Sequence, residues 1–280
     1  MELTRLIDGI DFGEGPRWHD GRLWYSDFYQ QTVYTVAPEG ERETVVVLDD
    51  QPSGLGWLPN GDLLIVAMRS KRLLRFDGEK TTVHADLSAL AEGLCNDMVV
   101  SAGGHAYVGN FGFDFEAGES LEATRLIHVS PDGLAERVGD ELKFPNGAVI
   151  TPDESTLIVG ESMGGQYRAF DIESDGSLSG GRVWASVIGL LPDGCALDSE
   201  GLIWFADAGP GQQVCRVAEG GDILERVPTP DPTFACMLGG ADGKTLFVLT
   251  APGSAKEDVA GKARGAIWTT RVDAPGAGLP

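Results

Sequence analysis

The sequence is poor in basic residues and contains no long hydrophobic run. Its 21 lysines and arginines stand against 43 aspartates and glutamates, so the formal net charge is −22 over 280 residues. Such a chain repels phosphate backbones and anionic lipid headgroups, which argues against nucleic acid and membrane surfaces as partners. No apolar run approaches the ~20 residues of a membrane-spanning helix. The first residues also lack the basic and apolar regions of a secretion signal, so we expect a cytoplasmic protein.

Cysteine and histidine are also scarce, with four of each. No two cysteines form a C-x-x-C pair, which argues against a zinc cluster or a thioredoxin-type motif. We expect Cys95, Cys195 and Cys236 to pack between inner strands rather than to act as nucleophiles. No H-E-x-x-H motif is present, and the histidines are expected to be structural. Neither a serine-hydrolase nor a zinc-protease mechanism is therefore expected.

Glycine, by contrast, is abundant, and a turn followed by a short apolar strand recurs six times. The aligned residues of the six segments lie 41 to 51 residues apart: Trp24, Ile65, Tyr107, Ile158, Trp204 and Phe247. A more polar β-type segment follows each of them. Several short strands per repeat of this length are typical of a four-stranded propeller blade. The sequence therefore predicts an all-β, six-bladed β-propeller; a β-sandwich is the alternative, but it requires no repeat in constant phase.

The two ends of the chain complete this prediction. Residues 3–7 precede the first repeat and can supply the outer strand of the last blade, which closes the ring. We find no linker, so residues 1–280 are expected to form a single propeller domain. The longest interval between repeats contains an insertion near residues 113–125. We expect this insertion to lie over one mouth of the central channel.

Polar residues recur at the predicted start of the innermost strands. Counting back from each aligned residue by 10–12 positions gives Glu14, Ser53, Asn96, Asn146, Asp193 and Ala235. Equivalent positions in a propeller surround the axis at one end of the channel. Buried carboxylates and amides crowded there need a partner, and their hard oxygens suit Ca²⁺, Mg²⁺ or Mn²⁺. For any one Asp-Gly or Asn-Gly pair alone, an ordinary turn is an equally good interpretation.

Seven segments resemble the senescence-marker/gluconolactonase/luciferin-regenerating family across nearly the whole chain. They are GEGPRWHDGRLWYSD (13–27), PSGLGWLPNGDLL (52–64), CNDMVV (95–100), FPNGAVITPDESTLIVGES (144–162), LPDGCALDSEGLIWFAD (191–207), LGGADGKTLFV (238–248) and VDAPGAGLP (272–280). The resemblance implies a six-bladed propeller with one divalent metal in its channel and lactonase activity. It implies Glu14, Asn146 and Asp193 as metal ligands. It also implies that Asn96 contacts the substrate or the metal-bound water, and that Asp193 is catalytic; we expect Asp193 to act as the general base.

The sequence departs from the sugar lactonases of that family at one position. They carry an arginine two residues before the equivalent of Asn96, and this chain has Leu94 there. We therefore expect Leu94, Phe113 and Met163 to line a less polar substrate site together with Asn96. For Phe113, Met163 and the neighbouring apolar residues, packing in the core is the alternative; those neighbours are Met98, Phe111, Phe115 and Phe234. The acidic lid residue of the family has three possible counterparts, which are Glu116, Glu119 and Glu122.

These observations predict a metal-dependent hydrolase of a lactone or cyclic ester with a small-molecule substrate. Ca²⁺ is the first choice of metal, with Mg²⁺, Mn²⁺, Fe²⁺ and Zn²⁺ as alternatives. Two other functions stay open at this point. One is a metal-containing propeller that catalyses another ester or phosphoester hydrolysis or a biosynthetic step, and the other is a ligand-binding propeller without catalysis. The sequence leaves the oligomeric state open.

Overall fold

The protein is built from six antiparallel sheets of four strands each. The computed structural model describes residues 1–114 and 116–279. In chain order the strands are β1 (Thr4–Ile10); β2 (Gly13–His19), β3 (Arg22–Asp27), β4 (Thr32–Val36) and β5 (Arg42–Val47); β6 (Pro52–Trp57), β7 (Leu63–Ala67), β8 (Arg72–Phe76) and β9 (Thr81–Asp86); β10 (Cys95–Val100), β11 (Ala106–Asn110), β12 (Thr124–Val129) and β13 (Ala135–Leu142); β14 (Pro145–Ile150), β15 (Thr156–Glu161), β16 (Gln166–Ile172) and β17 (Leu178–Ser186); β18 (Pro192–Leu197), β19 (Ile203–Asp207), β20 (Gln213–Val217) and β21 (Ile223–Pro228); β22 (Thr233–Gly239), β23 (Thr245–Thr250) and β24 (Gly265–Arg271). One short helix, α1 (Lys256–Val259), lies between β23 and β24.

The six sheets are the blades of a propeller. The first strand of each blade is innermost, and each innermost strand contacts the next one around the axis, with β22 returning to β2. Each of the six aligned residues of the repeat lies in the second strand of its blade. The predicted all-β, six-bladed propeller is therefore confirmed.

The ring is closed by the first strand of the chain. β1 pairs antiparallel with β24 and becomes the outer strand of the sixth blade, with Thr4 opposite Thr269 and Ile10 opposite Gly265. Closure also buries aromatic rings, since Trp18 of the first blade stacks on Phe247 of the sixth at 5.5 Å between ring centroids. The predicted closing strand is thus confirmed, and it extends beyond residues 3–7 to Ile10.

We propose that the six blades melt as one domain, and deletion of residues 1–10 tests this. A fully buried aliphatic side chain contributes about 1.5–3 kcal/mol, and the deletion removes the buried Ile10 with the half-buried Leu6 and Ile7. At about 2–4 °C per kcal/mol, the melting midpoint should fall by about 10 °C in a single transition. Deletion of residues 1–2, which are exposed and precede the strand, should have little effect. Two separate melting transitions would argue against one domain.

A β-bulge recurs near the start of all six innermost strands and positions the channel residues. Pairing with the second strand is interrupted between Glu14 and Arg17 in β2, for example, and between Pro192 and Cys195 in β18. A bulge leaves residues out of the ladder and turns their side chains. Neighbouring strands also approach closely there, because a Cβ on Gly147 would lie 2.5 Å from the carbonyl oxygen of Asp193. The bulge follows Glu14 directly and includes the second residue of the other five innermost strands, at the point where neighbouring strands approach closely.

Different parts of the chain lie at the two ends of the channel. Past β24, the chain crosses the far ends of the inner strands: Ala277 N donates to the carbonyl of Leu197, and Ile150 N donates to the carbonyl of Leu279. At the other end, where the innermost strands begin, two long connections extend from the blades. The predicted insertion joins β11 to β12, and a second connection, residues 251–264, joins β23 to β24. We call this end the mouth.

Candidate functional site

The innermost strands bring five of the predicted polar residues to the mouth end of the channel. Each is the second residue of its strand: Glu14 in β2, Ser53 in β6, Asn96 in β10, Asn146 in β14 and Asp193 in β18. All five are buried, with no more than 7% of any side chain exposed. The three predicted metal ligands and Asn96 therefore share one level of the channel, although they come from four blades.

The sixth blade requires a correction of one residue. Thr233 pairs with Thr250 at the start of β22, as Pro192 pairs with Asp207 in the fifth blade. The residue equivalent to Asp193 is consequently Phe234, and the prediction of Ala235 is wrong. The count back from Phe247 stops one residue short, because the interval is 13 residues in this blade and 10–12 in the other five.

Asn146 connects the fourth and fifth blades next to Asp193. Its amide nitrogen donates to the Ser162 hydroxyl at 3.2 Å, and that hydroxyl donates to the carbonyl of Pro192 at 2.7 Å. The Asn146 side chain also hydrogen-bonds Asp193, whose Oδ1 accepts from the backbone N–H of Gly194 at 2.9 Å. Since the amide hydrogens are used by these partners, the amide oxygen of Asn146 is the atom that can meet a cation.

The charges of Glu14 and Asp193 interact across the channel. Burial is the main cause that raises the pKa of each carboxyl group well above its usual range. The charge of Asp193 raises the pKa of Glu14 further, and Asp97 raises both, whereas the Arg17 guanidinium lowers that of Glu14. Without a cation, these carboxylates are buried at the cost of desolvation and mutual repulsion.

A buried ion pair beside this ring was not anticipated from the sequence. Arg17 Nη2 lies 2.7 Å from Asp97 Oδ1, and both side chains are almost fully buried. Arg17 also donates to the backbone carbonyls of Pro16, Leu55 and Met98. Its position in an innermost strand, three residues after Glu14, was the one signal in the sequence, and it does not reveal the partner.

An apolar cluster surrounds the mouth. It includes Leu94, the residue that replaces the arginine of the sugar lactonases. Phe12 is central, with ring centroids 5.1 Å from Phe28 and 4.7 Å from Phe234. The mouth cluster consists of Phe12, Phe28, Met68, Phe234, Ala251 and Val259, with Tyr29, Leu94, Phe111 and Ala208 packed against them. Residues from five blades thus form one apolar surface next to the polar ring.

The other predicted substrate-binding residues differ in their surroundings. Phe113 is buried and lies 6.2 Å from the ring of Phe144, on which Phe111 stacks at 4.4 Å. Met163 follows β15 at the mouth end and is 42% exposed. Phe113 therefore has a packed environment, whereas Met163 is accessible. Phe115 lies outside the described residues.

The three acidic candidates in the insertion are also placed differently. Glu116 forms a two-pronged ion pair with Arg69, which follows Met68 on the second blade. Glu119 accepts a hydrogen bond from the backbone of Asp114 at 2.9 Å within the insertion. Glu122 is exposed. Glu116 is thus the acid that joins the insertion to the neighbouring second blade.

Residues 160–164 read G-E-S-M-G and match the G-x-S-x-G motif of α/β-hydrolases, although no serine mechanism was expected. In those enzymes the serine lies between a strand and a helix and is activated by a histidine. Here Ser162 lies between β15 and β16, and its hydroxyl donates to the carbonyl of Pro192. Its contacts are those of a residue that orients Asn146.

The cysteines and histidines have packing environments. All four thiols are free and buried, and burial raises the pKa of Cys95 and of Cys195 to about 12, which disfavours the nucleophilic thiolate. His105 Nδ1 lies 2.8 Å from His128 Nε2, and the ring of His19 stacks on Trp57. These contacts agree with the structural roles expected from the sequence.

Within residues 1–114 and 116–279, no three histidine, cysteine, aspartate or glutamate side chains are grouped so that they could hold a metal ion. The predicted ligand set contains two carboxylates and one amide, so it does not form such a group. No helix in the described part of the chain is long and apolar enough to span a bilayer.

Fold and site together define a class: six-bladed propellers with buried carboxylate and amide side chains at one end of the channel. The chain belongs to the SMP-30/Gluconolactonase/LRE-like region family, whose sequence profile matches residues 12–252. The family predicted from the sequence motifs is therefore confirmed.

Two curated relatives and one solved structure illustrate the relationship. Pentonolactonase XacC of Haloferax volcanii is 28% identical over 293 residues, covering 100% of this chain and 97% of that protein. The 6-deoxy-6-sulfogluconolactonase of Pseudomonas putida is 24% identical over 278 residues, with 96% and 94% covered. The crystal structure of regucalcin from Agrobacterium tumefaciens, a calcium-binding protein, superimposes with a TM-score of 0.82 at 22% identity, covering 99% of this chain and 95% of that one.

Proposed function

We propose that this protein is a metal-dependent lactonase, and that it acts on lactones less polar than sugar lactones. The observation that carries the proposal is the meeting of Glu14, Asn146 and Asp193 at the channel mouth beside an apolar surface. Family membership and the full-length similarity to two proteins named as lactonases support the enzyme class, a lactonase-type hydrolase.

The residues present fit a divalent cation. Glu14 and Asp193 supply carboxylate oxygens and Asn146 an amide oxygen, which are the donors that Ca²⁺ prefers. Asp97 adds a third buried carboxylate and Arg17 a single cation, so these side chains retain two negative charges when ionised. A divalent ion would neutralise them. Calcium is the first ion to test, since the calcium-binding regucalcin shares the fold.

The chain's own residues divide the work of hydrolysis. A divalent ion bound by Glu14, Asn146 and Asp193 would polarise the lactone carbonyl and make water easier to deprotonate. The Asp193 carboxylate accepts a proton from the water that attacks the carbonyl carbon, and it returns this proton to the ring oxygen when the acyl C–O bond of the lactone breaks. Asn96 donates to the substrate from the same level of the channel. The mouth cluster holds the apolar part of the substrate and excludes bulk water.

A panel of substrates tests the reaction class. Purified protein with Ca²⁺ should hydrolyse δ-lactones or γ-lactones faster than linear esters of similar size, and it should not release phosphate from phosphoesters. A faster reaction with linear esters or phosphoesters would indicate that the protein is an esterase or a phosphoesterase and not a lactonase. Binding without turnover of any member would indicate a ligand-binding propeller.

The substitution Leu94→Arg tests the substrate preference. Leu94 packs against the mouth cluster, so a substrate hydroxyl facing it forgoes a hydrogen bond. A hydrogen bond to a charged group contributes about 1.5–3 kcal/mol, and about 1.4 kcal/mol is a factor of ten in rate. We expect the ratio of kcat/KM for δ-gluconolactone to that for an alkyl δ-lactone to rise at least about tenfold in Leu94→Arg.

Leu94→Met is the matched control, because it keeps an apolar side chain of similar size. Its ratio should equal that of the wild-type protein. An unchanged ratio in Leu94→Arg would show that residue 94 does not line the substrate site. A wild-type preference for the sugar lactone would contradict the less polar substrate directly.

We also propose a cytoplasmic location. All four cysteines are free, although Cys195 and Cys236 lie on neighbouring innermost strands. Unpaired thiols are typical of proteins in reducing compartments.

A further inference from the structure

One buried arginine joins three innermost strands directly beside the polar ring. Arg17 belongs to β2 and donates through Nε to the carbonyl of Leu55 in β6 at 3.0 Å. Through Nη2 it reaches β10, where it binds Asp97 Oδ1 at 2.7 Å and the carbonyl of Met98. A planar guanidinium can satisfy several acceptors at fixed angles, which an ammonium group cannot. The first three blades are thus connected at one point inside the channel.

The contacts of Arg17 in β10 are made with Asp97 and Met98, directly after Asn96. Ladder pairing in β10 is interrupted between Cys95 and Met98, so Asn96 and Asp97 lie in the bulge and have no partner in β11. Asp97 is fastened instead by Arg17 and by the backbone N–H of Met98, which donates to Oδ1 at 2.8 Å. The strand position of Asn96 therefore depends on contacts made by its neighbour.

We propose that Arg17 is a positioning residue for the hydrolysis: through Asp97 and Met98 it sets the place of the Asn96 side chain at the mouth of the channel. Arg17 does not touch the substrate in this account, and it acts only through β10. The inference rests on the proposed function, because Asn96 matters for catalysis only if the ring binds substrate.

A second buried arginine provides a matched control. Arg216 in β20 binds Asp198 through Nε at 2.8 Å, and its side chain is 10% exposed while that of Asp198 is fully buried. It also pairs with Glu200 and Glu225. This ion pair lies at the far end of the fifth blade, at the opposite end from Asp193. Loss of Arg216 should therefore reduce stability without reaching the site.

The kinetics of Arg17→Met, Arg17→Lys and Arg216→Met distinguish a role in positioning Asn96 from a role in protein stability alone. A displacement of about 1 Å at a reacting site can cost about 100-fold in rate. We expect kcat of Arg17→Met to fall about 10-fold to 100-fold with KM changed less than about threefold. Arg17→Lys should recover melting temperature but not kcat, because it restores charge without the planar fork. Arg216→Met should lower the melting temperature and leave kcat at the wild-type value.

An activity-independent measurement uses the small number of asparagines. The chain has four, Asn60, Asn96, Asn110 and Asn146, so selective ¹⁵N-asparagine labelling yields four pairs of side-chain amide signals, one pair for each NH₂ group. We expect the Asn96 signals to move or broaden in Arg17→Met, while those of Asn60 stay in place. They should do so in Asp97→Asn as well, where the new asparagine adds a fifth pair. In Arg216→Met all four should coincide with the wild-type signals.

Two results would overturn the proposal. One is an Asn96 signal that is unchanged in Arg17→Met, and the other is a kcat in Arg17→Met no lower than in Arg216→Met. If the wild-type protein hydrolyses no lactone, the proposed function fails, and the Asn96 signal still decides whether Arg17 positions this side chain. Should Arg17→Met not fold, Arg17→Lys and Asp97→Asn supply both measurements.

Discussion

Asp193→Asn should remove nearly all lactone hydrolysis while the protein stays folded. The substitution keeps the size of the side chain and an oxygen that can accept from the N–H of Gly194. It removes a negative charge from the ligand set and the group that accepts the proton. General-base catalysis alone contributes about 10²–10⁴-fold, so we expect kcat to fall by about 10³-fold or more and calcium affinity to fall in parallel. Steady-state kinetics and calorimetric titration measure both.

Asp198→Asn is the control for this substitution. Asp198 is buried, like Asp193, and directly follows the other end of the same strand, β18, where it binds Arg216. Its loss should lower the melting temperature and leave calcium affinity and kcat unchanged. Full calcium occupancy in Asp193→Ala, which has no side-chain oxygen, would show that Asp193 is not a ligand.

Glu14→Gln should stabilise the metal-free protein and abolish stabilisation by metal. Burial and the charge of Asp193 hold the pKa of Glu14 well above its usual range. A carboxyl group with a raised folded-state pKa binds its proton more tightly in the folded protein than in the unfolded chain. It therefore makes folding less favourable as pH rises from its unfolded-state pKa towards its folded-state pKa. Glutamine does not ionise, so the stability of Glu14→Gln does not decrease in this way as the pH rises.

The expected size of this effect can be measured by thermal melting with EDTA. An unsatisfied buried polar group costs about 1–3 kcal/mol and a charged one more, so Glu14→Gln should melt roughly 5 °C higher than the wild-type protein at pH 7.5. The difference should shrink as the pH is lowered towards 5. With excess Ca²⁺ the order should reverse, because a ligand that binds only the native state stabilises it. If Glu14→Gln melted at a lower temperature than the wild-type protein in EDTA at pH 7.5, then burial of Glu14 beside Asp193 would not destabilise the metal-free protein, contrary to this prediction.

The architecture and the polar ring were predictable because aligned repeats give both the number of blades and the residues that occupy equivalent positions in each blade. Once Trp24 and Trp204 are aligned, the residues that precede them by 10 and 11 positions fall at equivalent places in two blades. This is why Glu14 and Asp193 were found, although 179 residues separate them. The same count failed at Phe234, since the position of a bulge depends on the pairing of two strands and not on spacing alone.

Other parts of the site could not be predicted, because they depend on long side chains or on connections outside the repeat. Arg17 reaches Asp97 across the intervening second blade, and nothing in the repeat specifies which carboxylate it meets. Phe12 and Phe28 lie in turns beside strands, where apolar residues have no periodic signal. The connection 251–264 follows the last aligned residue, so no interval between repeats could reveal it.

Removal and return of a divalent ion show whether hydrolysis depends on a metal bound by Glu14, Asn146 and Asp193. The protein is dialysed against EDTA, the chelator is removed, and hydrolysis of an alkyl δ-lactone is followed while Ca²⁺, Mg²⁺, Mn²⁺ or Zn²⁺ is added to the wild-type protein and to Asp193→Asn. We predict that the stripped wild-type protein is inactive, that at least one divalent ion restores full activity together with a higher melting temperature, and that no ion restores Asp193→Asn. Undiminished hydrolysis by the stripped wild-type protein, with no response to any ion, would contradict metal-dependent catalysis at Glu14, Asn146 and Asp193.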